Sequence, residues 1–228
     1  MICIPVVAQD NREALQQMDR AFALADVVEL RIDSIQQVNL KQLLSPGWGK
    51  VLVTNRKKDE GGCFDGGENE RVDLLREAVI LGADFIDMEM STQEVLLKKA
   101  SRTIRQYENK TQLIISHHDF TGTPSYERLL DIYNECTEKG ADIVKIVTRA
   151  NRMEDNLSVL QMVAHAGTLK PDIIAFCMGS KGKISRIAAP LFGSCLSFAS
   201  LESGMQSAPG QLTIQETKAI NEILQHEK

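Results

Sequence analysis

The chain has 228 residues, 43% of them hydrophobic and 25% charged, and a net charge of −5. That length fits one large domain or two small ones, and the apolar fraction suffices for one core. The acidic balance, with no basic block, argues against nucleic acid or an anionic membrane as a main partner, and no stretch approaches the roughly 20 apolar residues of a membrane span.

The five cysteines, Cys3, Cys63, Cys136, Cys177 and Cys195, are odd in number, widely spaced and form no CxxC pair. Three of them, Cys3, Cys177 and Cys195, fall in apolar strand-like runs, where a free thiol behaves as a small hydrophobe. This usage points to a reducing compartment and to no zinc cage. The chain opens on Met1-Ile2-Cys3-Ile4-Pro5-Val6-Val7, without a basic region or a signal-length apolar stretch. A cytoplasmic location is therefore expected.

Apolar β-type runs alternate with amphipathic stretches along the chain. Residues 2–7 read as a strand and 11–24 as a helix opened by Asn11; 27–31 is a second strand, followed by a helix over 35–44. The turn at 45–49 leads into a third strand, 51–55. A loop rich in glycine, 61–67, precedes a helix over 68–81, where Val72, Leu75, Val79 and Ile80 recur at helical spacing. A fourth strand, 85–90, is followed by a helix at 92–107. The fifth strand is 112–116; the next helix begins near Pro124, whose fixed φ suits a first turn, and stops before Gly140. A sixth strand, 142–147, carries Lys145 inside an aliphatic run. A helix over 153–165 ends at Gly167, a seventh strand is 173–178, an eighth 196–198, and a last helix covers 214–226. About eight βα units without a linker predict a single-domain (β/α)8 TIM barrel over residues 1–228. A doubly wound sheet fits less well, because no GxGxxG follows the first strand.

Barrel enzymes carry their chemistry at the C-terminal strand ends. Those ends hold Glu29 and Arg31 on one face of the second strand, Arg56 with Glu60 just beyond the third, and Asp87 and Glu89 on the fourth. The fifth offers His117 and His118, the sixth Lys145, and the seventh runs into Met178-Gly179-Ser180. Taken singly, each has an ordinary reading: Glu29–Arg31 as a structural ion pair, Asp87 and Glu89 as bridges to neighbouring strands, Lys145 as a lysine reaching water. Together they crowd one rim, and the opposite rim shows no comparable charge.

An amine among apolar walls and other cations has its charged form disfavoured and becomes a nucleophile for a ketone. The resulting iminium is an electron sink that acidifies the adjacent C–H. An imidazole nearby takes that proton and returns one to a leaving hydroxyl, and a carboxylate on its other nitrogen fixes its tautomer. Glutamate, histidine and lysine together point to β-elimination or aldol-type chemistry on a ketone, and rim arginines to a substrate carboxylate or hydroxyls.

Seven motifs in order carry a family resemblance: Glu29-Leu30-Arg31-Ile32-Asp33; Thr54-Asn55-Arg56 with Glu60-Gly61-Gly62; Ser116-His117-His118-Asp119-Phe120; Asp142-Ile143-Val144-Lys145-Ile146; Met178-Gly179 with Gly182 and Ser185-Arg186; Phe192-Gly193-Ser194; and Ser207-Ala208-Pro209-Gly210-Gln211. In these the chain resembles the type I 3-dehydroquinate dehydratases of the shikimate pathway over essentially its whole length. The resemblance implies a cofactor-free carbon–oxygen lyase of aromatic amino-acid biosynthesis, turning 3-dehydroquinate into 3-dehydroshikimate, with no metal and commonly a homodimer. It implies Lys145 as Schiff-base lysine, His118 as general acid and base, and Glu60 as the carboxylate that orients His118, with His117 pointing away. Glu29, Arg31 and Arg56 match residues around the substrate hydroxyls and reacting centre. Arg186, Ser207 and Gln211 match the group that holds its carboxylate, the last two on a closing loop. The first strand ends apolar where some relatives supply a serine, and no nucleotide-binding half of the kind fused to some relatives is read here. The alternatives are a class I aldolase or transaldolase, in which Arg186, Ser207 and Gln211 would grip a phosphate rather than a carboxylate, a metal-dependent isomerase ligated by Glu29, Glu89 and His118, and a non-catalytic binding barrel. In an unrelated barrel the cationic run Lys181, Lys183 and Arg186 could likewise hold a phosphate.

Overall fold

Strands form where β-branched and aliphatic residues run together, and each is followed by a polar-faced segment that returns over the outside. A computed structural model describes residues 1–225 other than 46, 48, 108 and 109. In chain order it contains β1 (Ile2–Val6), α1 (Asn11–Phe22), β2 (Val27–Arg31), α2 (Leu40–Leu43), β3 (Lys50–Thr54), α3 (Glu68–Ile80), β4 (Phe85–Glu89) and α4 (Glu94–Gln106). There follow β5 (Gln112–His118), α5 (Tyr126–Glu138), β6 (Ile143–Arg149), α6 (Asp155–Ala166), β7 (Asp172–Met178), α7 (Lys183–Ala188), β8 (Ser197–Phe198) and α8 (Ile214–Gln225). The strands pair in parallel in the order β7-β6-β5-β4-β3-β2-β1-β8. The two ends of the sheet meet where Ile173 bridges Ser194 and the Cys195 N–H donates to the Ile173 carbonyl at 2.9 Å. The expected (β/α)8 barrel is the observed architecture.

The rim at the strand starts, expected to show no comparable charge, carries a repeated aspartate that aligns the strands. Asp26, Asp84 and Asp142 each stand one residue before an even-numbered strand. Their carboxylates accept the N–H of Ile2, Val51 and Leu113 on the preceding strand, at 2.7, 2.9 and 2.8 Å. An ionised acceptor makes a strong bond to a backbone donor, so each one pins the start of its neighbour.

The two-residue period of a strand gives the barrel two apolar layers. Outward-facing Val28, Leu30, Ile86, Met88, Val144 and Ile146 pack against Met18, Leu75, Leu97, Ile132 and Met162 of the helices. Inward-facing Val27, Leu52, Phe85, Ile114, Ile143 and Ile174 fill the lower barrel. One inward position higher on the first five of these strands stand Glu29, Thr54, Asp87, Ser116 and Lys145, all buried. The interior therefore turns polar halfway up, and an apolar floor supports the charged layer.

Three expectations are corrected. The helix over 35–44 shrinks to α2, after a 3-10 turn at Ile32–Ser34. Gln37 is left-handed at φ 51°, and Asn11 holds that bend by donating to the Gln37 carbonyl and accepting from the Asn39 N–H. On α3, Ile80 is exposed, while Arg71 and Ala78 join Val72, Leu75 and Val79 on the buried face. Between β7 and β8, read as irregular, the chain forms α7 and a 3-10 turn at Ala189–Phe192. The expected turn at 45–49 and the last residue of the helix at 214–226 lie partly or wholly outside the described residues.

Arg71 is fully buried under the β3 and β4 ends. Its guanidinium pairs bidentately with Glu68 at 2.9 Å, contacts Glu89 at 2.7 Å, and donates to the Asn55 carbonyl and Thr92 Oγ1, each at 2.9 Å. Removing one partner of a buried ion pair leaves the other charge uncompensated. Arg71→Met is expected to cost about 3–5 kcal/mol of stability, read from denaturant midpoints at constant m-value; a loss below about 1 kcal/mol contradicts this role.

Candidate active site

At the C-terminal mouth of the barrel the inward residues enclose a cavity of about 200 Å³. All nine residues singled out in the sequence line it: Glu29, Arg31, Arg56, Glu60, His118, Lys145, Arg186, Ser207 and Gln211. His117, on the alternate face of β5, does not line it. Gly61, Phe120, Val147, Phe176, Met178, Phe198, Ala208 and Pro209 complete the wall.

Lys145 comes from the middle of β6, one inward step above Ile143. Its Nζ donates to Asp87 Oδ2 at 2.9 Å, stands 3.8 Å from Glu29 Oε1, and lies 4.7 Å from the centroid of the Phe198 ring. Asp87 also pairs with Arg56 Nη2 at 2.7 Å and accepts from Ser116 Oγ at 2.6 Å. Burial by itself would raise the Asp87 carboxyl, yet the charges of Arg56 and Lys145 outweigh it and hold Asp87 well below the usual carboxylate range. Burial likewise works against the Arg56 cation, and Asp87 and Glu89 reverse that effect and keep it charged. Glu29 is fixed by Thr54 Oγ1, which donates to Oε1 at 2.7 Å. Arg31 does not pair with Glu29 as a structural reading of the two would have it. Its guanidinium forms a bidentate pair with Asp33 at 2.8 and 2.7 Å, and the Cys63 N–H holds Asp33 from the other side.

His118, at the end of β5, places Nδ1 3.0 Å from Glu60 Oε2. Glu60 lies on a 3-10 turn, Lys58–Glu60, which ends at left-handed Gly61, φ 80°. Gly62 follows because a Cβ there would lie 2.0 Å from the Arg56 carbonyl oxygen. Burial pushes His118 well below its usual value, and the charges of Arg56 and Lys145 push it further. Burial raises Glu60 to about 7. With His118 held neutral and Glu60 raised to about 7, the pair has the geometry and charge to share one proton near neutral pH.

The far wall is built by α7 and the loop before α8. Arg186 stacks on Phe176, 4.3 Å from the ring centroid, and donates to the Pro209 carbonyl at 3.3 Å. Burial lowers it to about 10. Gln211 Oε1 accepts from the Ser207 N–H at 2.9 Å and from Ser207 Oγ at 3.2 Å. This loop packs down on the β7 end through Gly210, whose Cβ would lie 2.2 Å from the Gly179 carbonyl oxygen. Among the described residues, Arg186 Nε and Gln211 Nε2 are buried donors without a protein partner. Two such donors on one wall suit an anionic oxygen pair.

A family model described as Type I 3-dehydroquinase matches residues 2–228. The chain belongs to the type I 3-dehydroquinase family. It is 37% identical over 220 residues to the 3-dehydroquinate dehydratase of Methanocaldococcus jannaschii, covering 96% of this chain and 97% of that one. Among solved structures, the 3-dehydroquinate dehydratase of Geobacillus kaustophilus superimposes with a TM-score of 0.89 at 31% identity, over 98% of this chain and 90% of that one. The type I enzyme of Clostridium difficile, described with covalently modified comenic acid, gives 0.88 at 26% identity, over 98% and 91%. The family, the barrel and the hydro-lyase class read from the motifs are borne out, ahead of the aldolase alternative.

Several residues that support the site have no assigned role in the sequence motifs. Asp87 and Glu89 do bridge, as their ordinary reading has it, but what Asp87 bridges is Lys145 to Arg56. Arg71 gave one signal, an arginine in the same helical row as Leu75 and Ala78. Ser116 precedes the two histidines, and nothing in its sequence context marks it as a hydrogen-bond partner of Arg56. Glu29, Glu89 and His118, the ligand set of a metal-dependent reading, are each committed elsewhere: to Thr54 and Lys145, to Arg56 and Arg71, and to Glu60.

The raised Glu60 has a thermodynamic consequence. The folded protein keeps this proton up to about pH 7, whereas an unfolded glutamate releases it near 4.5. The unfolded state therefore binds fewer protons between these values, and this group costs stability as pH rises through the window. Glu60→Gln is expected to gain about 1–2 kcal/mol relative to the parent between the two ends of that window. Urea denaturation at both ends measures the gain, and a pH-independent difference contradicts it.

Proposed function

We propose that the cavity dehydrates 3-dehydroquinate through a Schiff base on Lys145. The observation that carries the reading is that Lys145 Nζ and the His118–Glu60 pair face one enclosed cavity, whose opposite wall holds the unpartnered donors of Arg186 and Gln211. Nζ adds to the substrate ketone and water leaves, giving an iminium. His118 takes a proton from the adjacent carbon, and the electron pair moves into the iminium to form an enamine. The enamine expels the β-hydroxyl, which leaves as water with the proton held by His118 and Glu60; hydrolysis of the iminium then frees product and lysine. The C. difficile relative, described with covalently modified comenic acid, supports a covalent step.

Arg186, Ser207 and Gln211 hold the substrate carboxylate in this reading, while Glu29, Arg31 and Arg56 face the hydroxyls and the reacting centre. Lys181 and Lys183 are exposed and do not line the cavity. A single buried cation opposite the lysine favours a carboxylate over the phosphate of an aldolase substrate. The loop carrying Ser207 and Gln211 closes over the bound acid. We further propose, from the sequence, that residues 1–228 form one catalytic domain working in the cytoplasm as a homodimer without cofactor. The five free thiols agree with a reducing compartment.

A spectrophotometric assay for dehydroshikimate tests the roles. Lys145→Ala is expected to lose at least about 10⁴-fold in kcat, and His118→Ala about 10²–10⁴-fold, with His117→Ala near the parent. A crippled His117→Ala beside an active His118→Ala contradicts the assignment of the pair.

A further inference from the structure

Glu60 sits on a loop, and the pair it makes with His118 is only as good as the hold on its carboxylate. One oxygen, Oε2, meets His118 Nδ1; the other, Oε1, accepts from Ser91 Oγ at 2.8 Å. Ser91 lies outside the cavity wall, in the turn between β4 and α4. That turn is rigid. The Met90 N–H donates to the Ser116 carbonyl at 2.7 Å, the Thr92 N–H closes back on the Glu89 carbonyl at 2.9 Å, and Arg71 holds Thr92 Oγ1 from below at 2.9 Å.

The direction of the Ser91 hydroxyl is also determined. Lys57 Nζ donates to Ser91 Oγ at 3.4 Å and is itself placed by Glu68 at 3.2 Å. A lysine nitrogen has nothing to accept with when charged, so the hydroxyl must accept from it, and its one hydrogen is left for Glu60. We propose that Ser91 is a positioning residue for the reaction: oriented by Lys57, it locks the Glu60 carboxylate against His118 and favours its anionic form. The proposal rests on the reading of His118 and Glu60 as the acid–base pair.

The charged groups around the pair pull in both directions. Burial raises Glu60, the Ser91 bond lowers it, Glu89 and Asp87 raise it, and Arg56 lowers it. His118 is faced by Arg56, Lys145, Asp87 and His117. Of the influences that lower Glu60, the Ser91 hydroxyl is the first and the only one that a neutral, exposed side chain supplies. With Glu60 anionic, His118 carries its proton on Nδ1 and presents a bare Nε2 to the substrate. A protonated Glu60 takes the Nδ1 lone pair instead and leaves Nε2 as N–H, unable to start the elimination. Rate should therefore rise with pH as Glu60 ionises, and loss of Ser91 should move that rise upward.

The test is the kcat–pH profile of the full-length protein with 3-dehydroquinate, for the parent, Ser91→Ala, Ser91→Thr and Glu60→Gln. Ser91→Ala is expected to move the acidic limb up by about 0.5–1 pH unit, with kcat down about 3–10-fold on that limb and KM within about twofold. Ser91→Thr, which keeps the hydroxyl, is expected to restore the parent limb, and Glu60→Gln to abolish it. Melting temperatures of the two Ser91 variants are expected within about 2 °C of the parent. A parent-like limb in Ser91→Ala, with or without a lower melting temperature, while Glu60→Gln loses the limb, overturns the role of Ser91 and leaves the acid–base pair standing. A limb that persists in Glu60→Gln overturns the reading of the pair itself.

Discussion

The buried carboxylate of Asp87, clamped between Arg56 and Lys145, is the interaction on which the rest of the mouth depends. Charges taken out of water are costly unless paired with good geometry. Here the acids Glu29, Asp87 and Glu89 alternate with the bases Lys145, Arg56 and Arg71, and each base touches at least one acid within 3.1 Å. The bonds run across β2, β3, β4, β5 and β6. A shift of any one of these five strands would break a buried ion pair or hydrogen bond of this layer. The strand-start aspartates set the same register from below, so the lysine is held from both ends of the barrel.

The same cations prepare the acid–base pair. Arg56 and Lys145 add to burial in keeping His118 neutral, and burial raises Glu60 toward neutrality. In the proposed reaction, a neutral imidazole beside Lys145 in one cavity needs no large rearrangement before chemistry. The opposite wall follows a different logic. Arg186 and Gln211 are held by aromatic stacking, a backbone carbonyl and Ser207, which leaves one donor on each unsatisfied. In the proposed reaction these two donors are the ones left to bind the substrate carboxylate.

The barrel was legible from the alternation of apolar runs with amphipathic stretches, and every strand appears within a few residues of its expected place. The exceptions are local. The helix expected at 35–44 failed because a left-handed Gln37 interrupts a run of good helix formers, a conformation no propensity announces. The short α7 was hidden in a loop because its six residues show no full amphipathic period. In the site, residues at strand ends were legible because the barrel makes position informative. Lys145 looked anomalous in an aliphatic run for the reason that it is: an amine inside a sheet needs partners. Those partners, Asp87 and Ser116, were harder to read, since polar residues on a strand have many ordinary uses. Arg71 and Ser91 act from a helix face and a turn, where only three-dimensional contact shows what they hold.

In the proposed reaction Lys145, and no other residue, forms a covalent bond to the substrate ketone. The most direct measurement is peptide mass mapping after borohydride reduction in the presence of 3-dehydroquinate. The account predicts one reduced adduct on the peptide containing Lys145, absent without ketone. No adduct, or an adduct confined to another lysine such as Lys57 or Lys181, contradicts it.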